Sequence, residues 1–125
     1  MVKTIINTSV AIVVSVAFFI FVEIYVKSQF KQFESAVHTL YEKVENKTAN
    51  REDAYAIKRS WQNKKDILHI FIPHNDISYV DYWLNEACAL IYNGLYDLAL
   101  GKVEVLENVA RTLPDSYTLQ LGNVL

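Results

Sequence analysis

The sequence predicts an all-α protein, an N-terminal transmembrane helix followed by an antiparallel bundle of about four helices. Three observations predict it. An uncharged apolar run fills the N-terminus, apolar residues beyond it recur at steps of three and four, and only 3 glycines and 2 prolines interrupt 125 residues. Recurrence at that spacing gathers apolar groups on one face of a helix. The expected division is a membrane anchor over residues 1–27 and a helical bundle domain over residues 28–125.

The anchor rests on IINTSVAIVVSVAFFIFV, Ile5 to Val22, which carries no charge. Its length, roughly 27 Å at ~1.5 Å per residue, suffices for a hydrocarbon layer ~30 Å thick. A cleaved signal peptide is the rival. The run exceeds the usual apolar core of such a peptide and no small-x-small site follows, which favours an uncleaved anchor. Tyr25 suits the interfacial belt. Glu23 precedes Lys27 by four residues, the order that favours a helical ion pair over an intramembrane functional carboxylate. Lys3 nearly balances Lys27 and Lys31 across the run. The short N-terminal tail tilts the expectation to tail-inside, with the bundle on the extracytoplasmic side of the membrane.

Four stripes follow. Phe30, Phe33, Val37, Leu40 and Val44 form the first, continuous with the anchor, and two such heptads fit either core packing or a homodimer seam. The polar turn NKTAN, residues 46–50, ends it. Asn50 reads as an N-cap with Asp53 three residues on. Ala54, Ile57, Trp61, Leu68 and Phe71 make the second stripe, closed by Pro73, which cannot continue a helix. The third helix is expected from Asn75 or Asp76, with Ile77, Val80, Leu84, Cys88 and Ile91 inward. Its Tyr79, Trp83 and Leu90 widen the apolar arc beyond what one neighbour covers. Asn93-Gly94 reads as its C-cap. Leu95, Ala99, Val103, Leu106, Ala110 and Leu113 complete the fourth, before Pro114. The tail DSYTLQLGNVL is apolar enough to pack. Helices two and four also superimpose at an offset of 42, a faint sign of a duplicated hairpin.

Composition excludes several function classes. Beyond residue 27, 10 Lys and Arg face 13 Asp and Glu, so no basic stripe exists for nucleic acid. The single cysteine, Cys88, allows neither an intrachain disulfide nor a multi-cysteine metal site. Phosphate-cradling glycine loops, a nucleophile elbow and HExxH are all missing, so the expectation is not an enzyme and no cofactor. Lys58, Arg59, Lys64 and Lys65 are the densest basic patch and could touch anionic lipid headgroups, but read better as one solvated helix face.

The stretch HIFIPHNDISYVD, residues 69–81, holds the densest set of ligand-type groups. His74, Asp76 and Asp81 are the candidate metal ligands, chemically suited to zinc. Their spacing is poor, because ligands on one helical face recur at three or four. A rigid corner between two helices is the preferred reading. His69 then serves the end of the second helix, Asn75 or Asp76 caps the third, and Asp81 faces outward or pairs with a lysine.

Trp61, the Lys64-Lys65 pair, Leu68, Ile70-Phe71-Ile72, His74, Asp76-Ile77 and Asp81, then Ala99, Leu106, Leu113-Pro114 and the ending LQLGNVL, form a recognisable series. This series resembles the domain of unknown function 4363 family, small membrane-anchored helical proteins of Gram-positive, largely spore-forming bacteria. The resemblance implies a single-pass bacterial membrane protein with an all-helical domain and marks Trp61, His74, Asp76 and Asp81 as family-motif residues. It implies no catalytic residue. Family genes near those of polytopic membrane proteins imply an accessory subunit.

The expected function is therefore a membrane-anchored helical interaction module, held by Ile5 to Val22 and docking another membrane protein through Tyr79, Tyr82 and Trp83. Large amphipathic rings are favoured at such interfaces. The alternative is a membrane-tethered sensor that binds a ligand or metal at the His74, Asp76 and Asp81 corner.

Overall fold

The computed structural model describes residues 1–117. Four helices, α1 (Val2–Glu45), α2 (Arg51–Leu68), α3 (His74–Tyr92) and α4 (Tyr96–Thr112), precede a 3-10 turn, Leu113–Ser116. The tail residues expected to pack, 118–125, lie outside the described residues.

α1 passes residue 27 without a break and is about 66 Å long at 1.5 Å per residue. Its N-terminal half is long and apolar enough to cross a membrane, and the chain buries none of that window. Burial begins at Val26 and continues through Phe30, Phe33, Val37, Leu40 and Val44. The stripe that suited a homodimer seam is thus covered by the chain's own helices.

The helices close a ring. α1 and α3 each pack against both α2 and α4. Residue pairs across each seam run in opposite directions. Between α1 and α2, Lys43 meets Asp53 while Lys64 meets Gln29 and Gln32. Between α1 and α4, Glu34 meets Arg111 and His38 meets Glu107. This is an up-and-down bundle in which α2 and α4 stand diagonally and point the same way. Their match at an offset of 42 follows from those equivalent places, with Ile57, Trp61 and Leu68 buried on one and Ala99, Val103 and Ala110 on the other.

The helix ends follow local chemistry. Asn50 and Asp53 form a reciprocal capping box, each side chain accepting from the other's backbone N–H at 2.9 Å. The hydrogen bond from Lys43 holds the Asp53 carboxyl below the usual carboxylate range, aided by the Asn50 N–H and opposed by burial. α2 stops at Leu68, and Ile72 rather than Phe71 is the buried residue of the turn. α3 begins at His74, with Pro73 at the cap position and no side-chain cap. The expected cap by Asn75 or Asp76 is corrected accordingly. Proline takes φ −54° without strain there and supplies the extended backbone that a cap requires. Leu95 precedes α4 and is exposed, so the fourth stripe begins at Ala99.

α1 and α3 end in the same motif. Leu95 N–H donates to Leu90 C=O and Gly94 N–H to Ile91 C=O, around Gly94 at φ 68°. Thr48 and Lys47 repeat this on Lys43 and Val44, with Lys47 at φ 56°. A side chain in the left-handed region is strained, and the Lys47–Asp97 contact of 3.9 Å between exposed groups compensates little. Lys47→Gly is therefore expected to stabilise the bundle by about 1 kcal/mol, raising the melting midpoint by roughly 4–8 °C. A lower midpoint in thermal unfolding would show that the lysine itself holds the turn.

Candidate functional site

The HIFIPHNDISYVD stretch separates into parts with different partners. Asp81 turns inward. It accepts from the Trp61 indole Nε1–H at 2.7 Å with one oxygen and from Lys65 Nζ at 2.8 Å with the other. Trp61 is wholly buried between Phe33, at 4.9 Å between ring centres, and Phe30, at 6.1 Å. Two of the family-motif residues are thus a structural pair joining α2 to α3, and the lysine partner expected for Asp81 is Lys65. His74 contacts Ser78 at 3.3 Å, and its ring stacks on His69 at 5.5 Å with 16° between planes. Stacked rings oppose their faces rather than their nitrogens. Among the described residues no three His, Cys, Asp or Glu side chains are grouped to hold a metal ion, so the fold does not assemble His74, Asp76 and Asp81 into a ligand set.

The basic residues do not form one solvated face. Lys58 lies 5.4 Å over the Tyr92 ring, Arg59 pairs with Glu52, and Lys64 donates to Gln29 and Gln32. Burial lowers the Lys64 pKa, because neutral amides do not replace the lost hydration with charge. Cys88 is buried on α3 and burial pushes its thiol up to about 11, against a small opposing effect of Lys58. Glu23 and Lys27 form the expected ion pair at 3.3 Å.

Tyr79, Tyr82 and Trp83, the expected docking residues, form one cluster on α3, of which only the two tyrosines are exposed. Tyr79 and Tyr82 are 49% and 59% exposed, and both stand edge-on to Trp83 at 6.1 and 5.5 Å. Trp83 is half-buried and leans on the core. Lys102 covers its ring at 5.0 Å and approaches Glu86 at 3.4 Å, which ties the face to α4. Tyr82 is consequently a cleaner surface probe than Trp83, whose loss also disturbs packing.

Sequence reasoning missed the end of the bundle nearest the apolar half of α1. Phe71, in the α2–α3 turn, meets Tyr25 edge-on at 6.4 Å. With Pro114 and Tyr117 it lines a small recess against Phe19, Val22, Glu23 and Val26. The exposed Ile70 stands beside it at the apex of the turn. The only signal was the apolar triplet Ile70-Phe71-Ile72, more apolar than a helix connection requires.

Fold and surface define a four-helix bundle whose first helix extends into a long apolar segment, with polar pairs along its seams and an aromatic cluster on α3. Within that class the chain belongs to the family described as domain of unknown function (DUF4363), whose model matches residues 20–124. The match takes in the whole bundle and only the last residues of the apolar run. No curated protein and no solved structure matches the chain significantly.

Proposed function

We propose that this protein is a single-pass, membrane-anchored interaction module without catalytic activity of its own. Its bundle docks a polytopic protein of the same bacterial membrane, as an accessory subunit. The observation that carries this reading is the Tyr79, Tyr82 and Trp83 face, two exposed rings packed edge-on against a third that is fixed to the core. Rigid aromatic anchors contribute area at small entropic cost, and such residues dominate binding energy in protein interfaces. The face also has a suitable height. Tyr79 and Trp83 lie about 8 and 14 Å along α3 from His74, at 1.5 Å per residue, so a partner rising from the same bilayer reaches them.

Co-purification of the full-length protein from native membranes in mild detergent, read by mass spectrometry, tests the proposal. The wild type is expected to bring one polytopic protein near stoichiometry. The double substitution Tyr79→Ala, Tyr82→Ala is expected to lose it while the bundle stays folded, at a cost of about 1–3 kcal/mol for the two edge-on contacts with Trp83. Recovery of the wild type alone, or a partner retained by the double variant, would overturn it.

A further inference from the structure

We infer that the α2–α3 turn, residues 69–73, is a second membrane contact, with Ile70 seated at the headgroup–acyl boundary of the phospholipid bilayer that α1 crosses. This rests on the anchored reading of α1. Its height on the anchor is fixed by packing. Phe71 lies edge-on to Tyr25, and its recess is walled by Phe19, Val22 and Val26. Phe19 and Val22 belong to the uncharged run itself, so the turn stands level with the last turns of the membrane segment. The interfacial layer extends several ångströms beyond the ~30 Å hydrocarbon core on each side, and the turn therefore falls within it.

The composition of the turn fits that place. Ile70 is 73% exposed, the largest value for any bulky apolar residue beyond α1 among the described residues. Ile67, one turn earlier on α2, is 46% exposed, and Tyr117 across the recess is 37% exposed. Such a cluster facing water is costly, whereas at a bilayer surface the aliphatic groups bury and the tyrosine keeps its hydroxyl in the polar layer. The charges flanking the turn in sequence and on the α1 wall of its recess are of both signs, Lys64, Lys65 and Lys27 against Asp66, Asp76 and Glu23. The contact is thus apolar and does not need anionic lipid. Two fixed points, the helix and the turn, would hold the bundle at one tilt to the membrane and present the α3 face at a constant height.

Depth-dependent fluorescence quenching tests this. Full-length protein carrying one cysteine at a time, Val13→Cys, Ile70→Cys or Leu98→Cys, is labelled with a polarity-sensitive fluorophore and reconstituted in phosphatidylcholine vesicles. Native Cys88 is fully buried and does not compete for label. Leu98 is the control for exposure alone, because it is 61% exposed on α4 near the opposite end of the bundle. The label at 70 is expected to shift to the blue and to be quenched more by lipids bearing a spin label near the headgroup than at the acyl terminus. The label at 13 should show the reverse order, and the label at 98 no quenching. Quenching at 13 without quenching at 70 overturns the turn contact and leaves the anchor standing, even if the emission at 70 is blue-shifted by a protein neighbour. Absence of quenching at 13 overturns the anchor and the turn contact together.

Discussion

Trp61→Ala is expected to unfold the bundle or leave it barely stable. The indole is wholly buried and packs against Phe30 and Phe33 of α1. Truncating a buried tryptophan costs about 3–5 kcal/mol, because the lost contacts leave a cavity that the surroundings fill only in part. The same change deprives Asp81 of the indole donor at 2.7 Å. Total stability of a domain this size is typically about 5–15 kcal/mol, so the substitution removes a large share of it. At roughly 4–8 °C per kcal/mol, the midpoint should fall by roughly 15 °C or more. The readout must exclude the apolar half of α1, which keeps its helix in a detergent micelle whatever the bundle does. Amide exchange of peptides from α2 to α4 serves, and unchanged protection there would show that Trp61 is not the centre of the core. Trp61→Phe separates the two effects, since it keeps most of the ring while discarding the N–H.

What the sequence made legible was periodic. The stripes on α1 and α3 are buried residue for residue, because a helix face is a local property that spacing of three and four reads directly. The capping box at Asn50 and the glycine turn at Gly94 were equally local. Pairings across helices were not. Asp81 and Trp61 are 20 positions apart and His38 and Glu107 are 69 apart, and nothing in one helix says which residue of another it will meet. Lys47 in the left-handed region was illegible for a different reason: the turn is set by the five residues around it, and the fold imposes it on a residue type that disfavours it.

The histidine–aspartate cluster shows how closeness in sequence misleads. At ~100° per residue on a helix, Asp76 lies about 200° round from His74, on the other side of α3. Asp81 returns to nearly the same meridian as His74 but roughly 10 Å further along the axis. What distinguishes the stretch is instead its division of labour. Its apolar half forms a turn level with the end of the apolar run, and its last aspartate crosses to α2. The aromatic face begins where these two end, and of the residues marked by the family resemblance Trp61 and Asp81 join α2 to α3 beside that face rather than forming it.

Asp81→Ala should expose that dependence at a cost of about 2–3 kcal/mol, the second-largest effect expected here. A hydrogen bond to a charged group contributes about 1.5–3 kcal/mol, and an orphaned buried donor costs about 1–3 kcal/mol. Truncation does both at once, leaving the Trp61 N–H without an acceptor and Lys65, only 23% exposed, without its counter-ion. Asp81→Asn keeps an oxygen for the indole but sets its amide NH2 against Lys65, losing both the charge and the acceptor there, so it should cost less than Asp81→Ala only by what the indole bond contributes. Because the two side chains touch, the double variant Trp61→Phe, Asp81→Ala should be less destabilised than the separate effects added, with a coupling of about 1–2 kcal/mol. Strict additivity in the cycle would show that the short contact contributes nothing to stability. If the coupling is present and the proposed docking through Tyr79 and Tyr82 holds, Asp81→Ala should also weaken capture of the proposed partner without touching it, because α3 loses its fixed position on α2. Partner capture that survives unchanged in a destabilised Asp81→Ala variant would separate the face from its support.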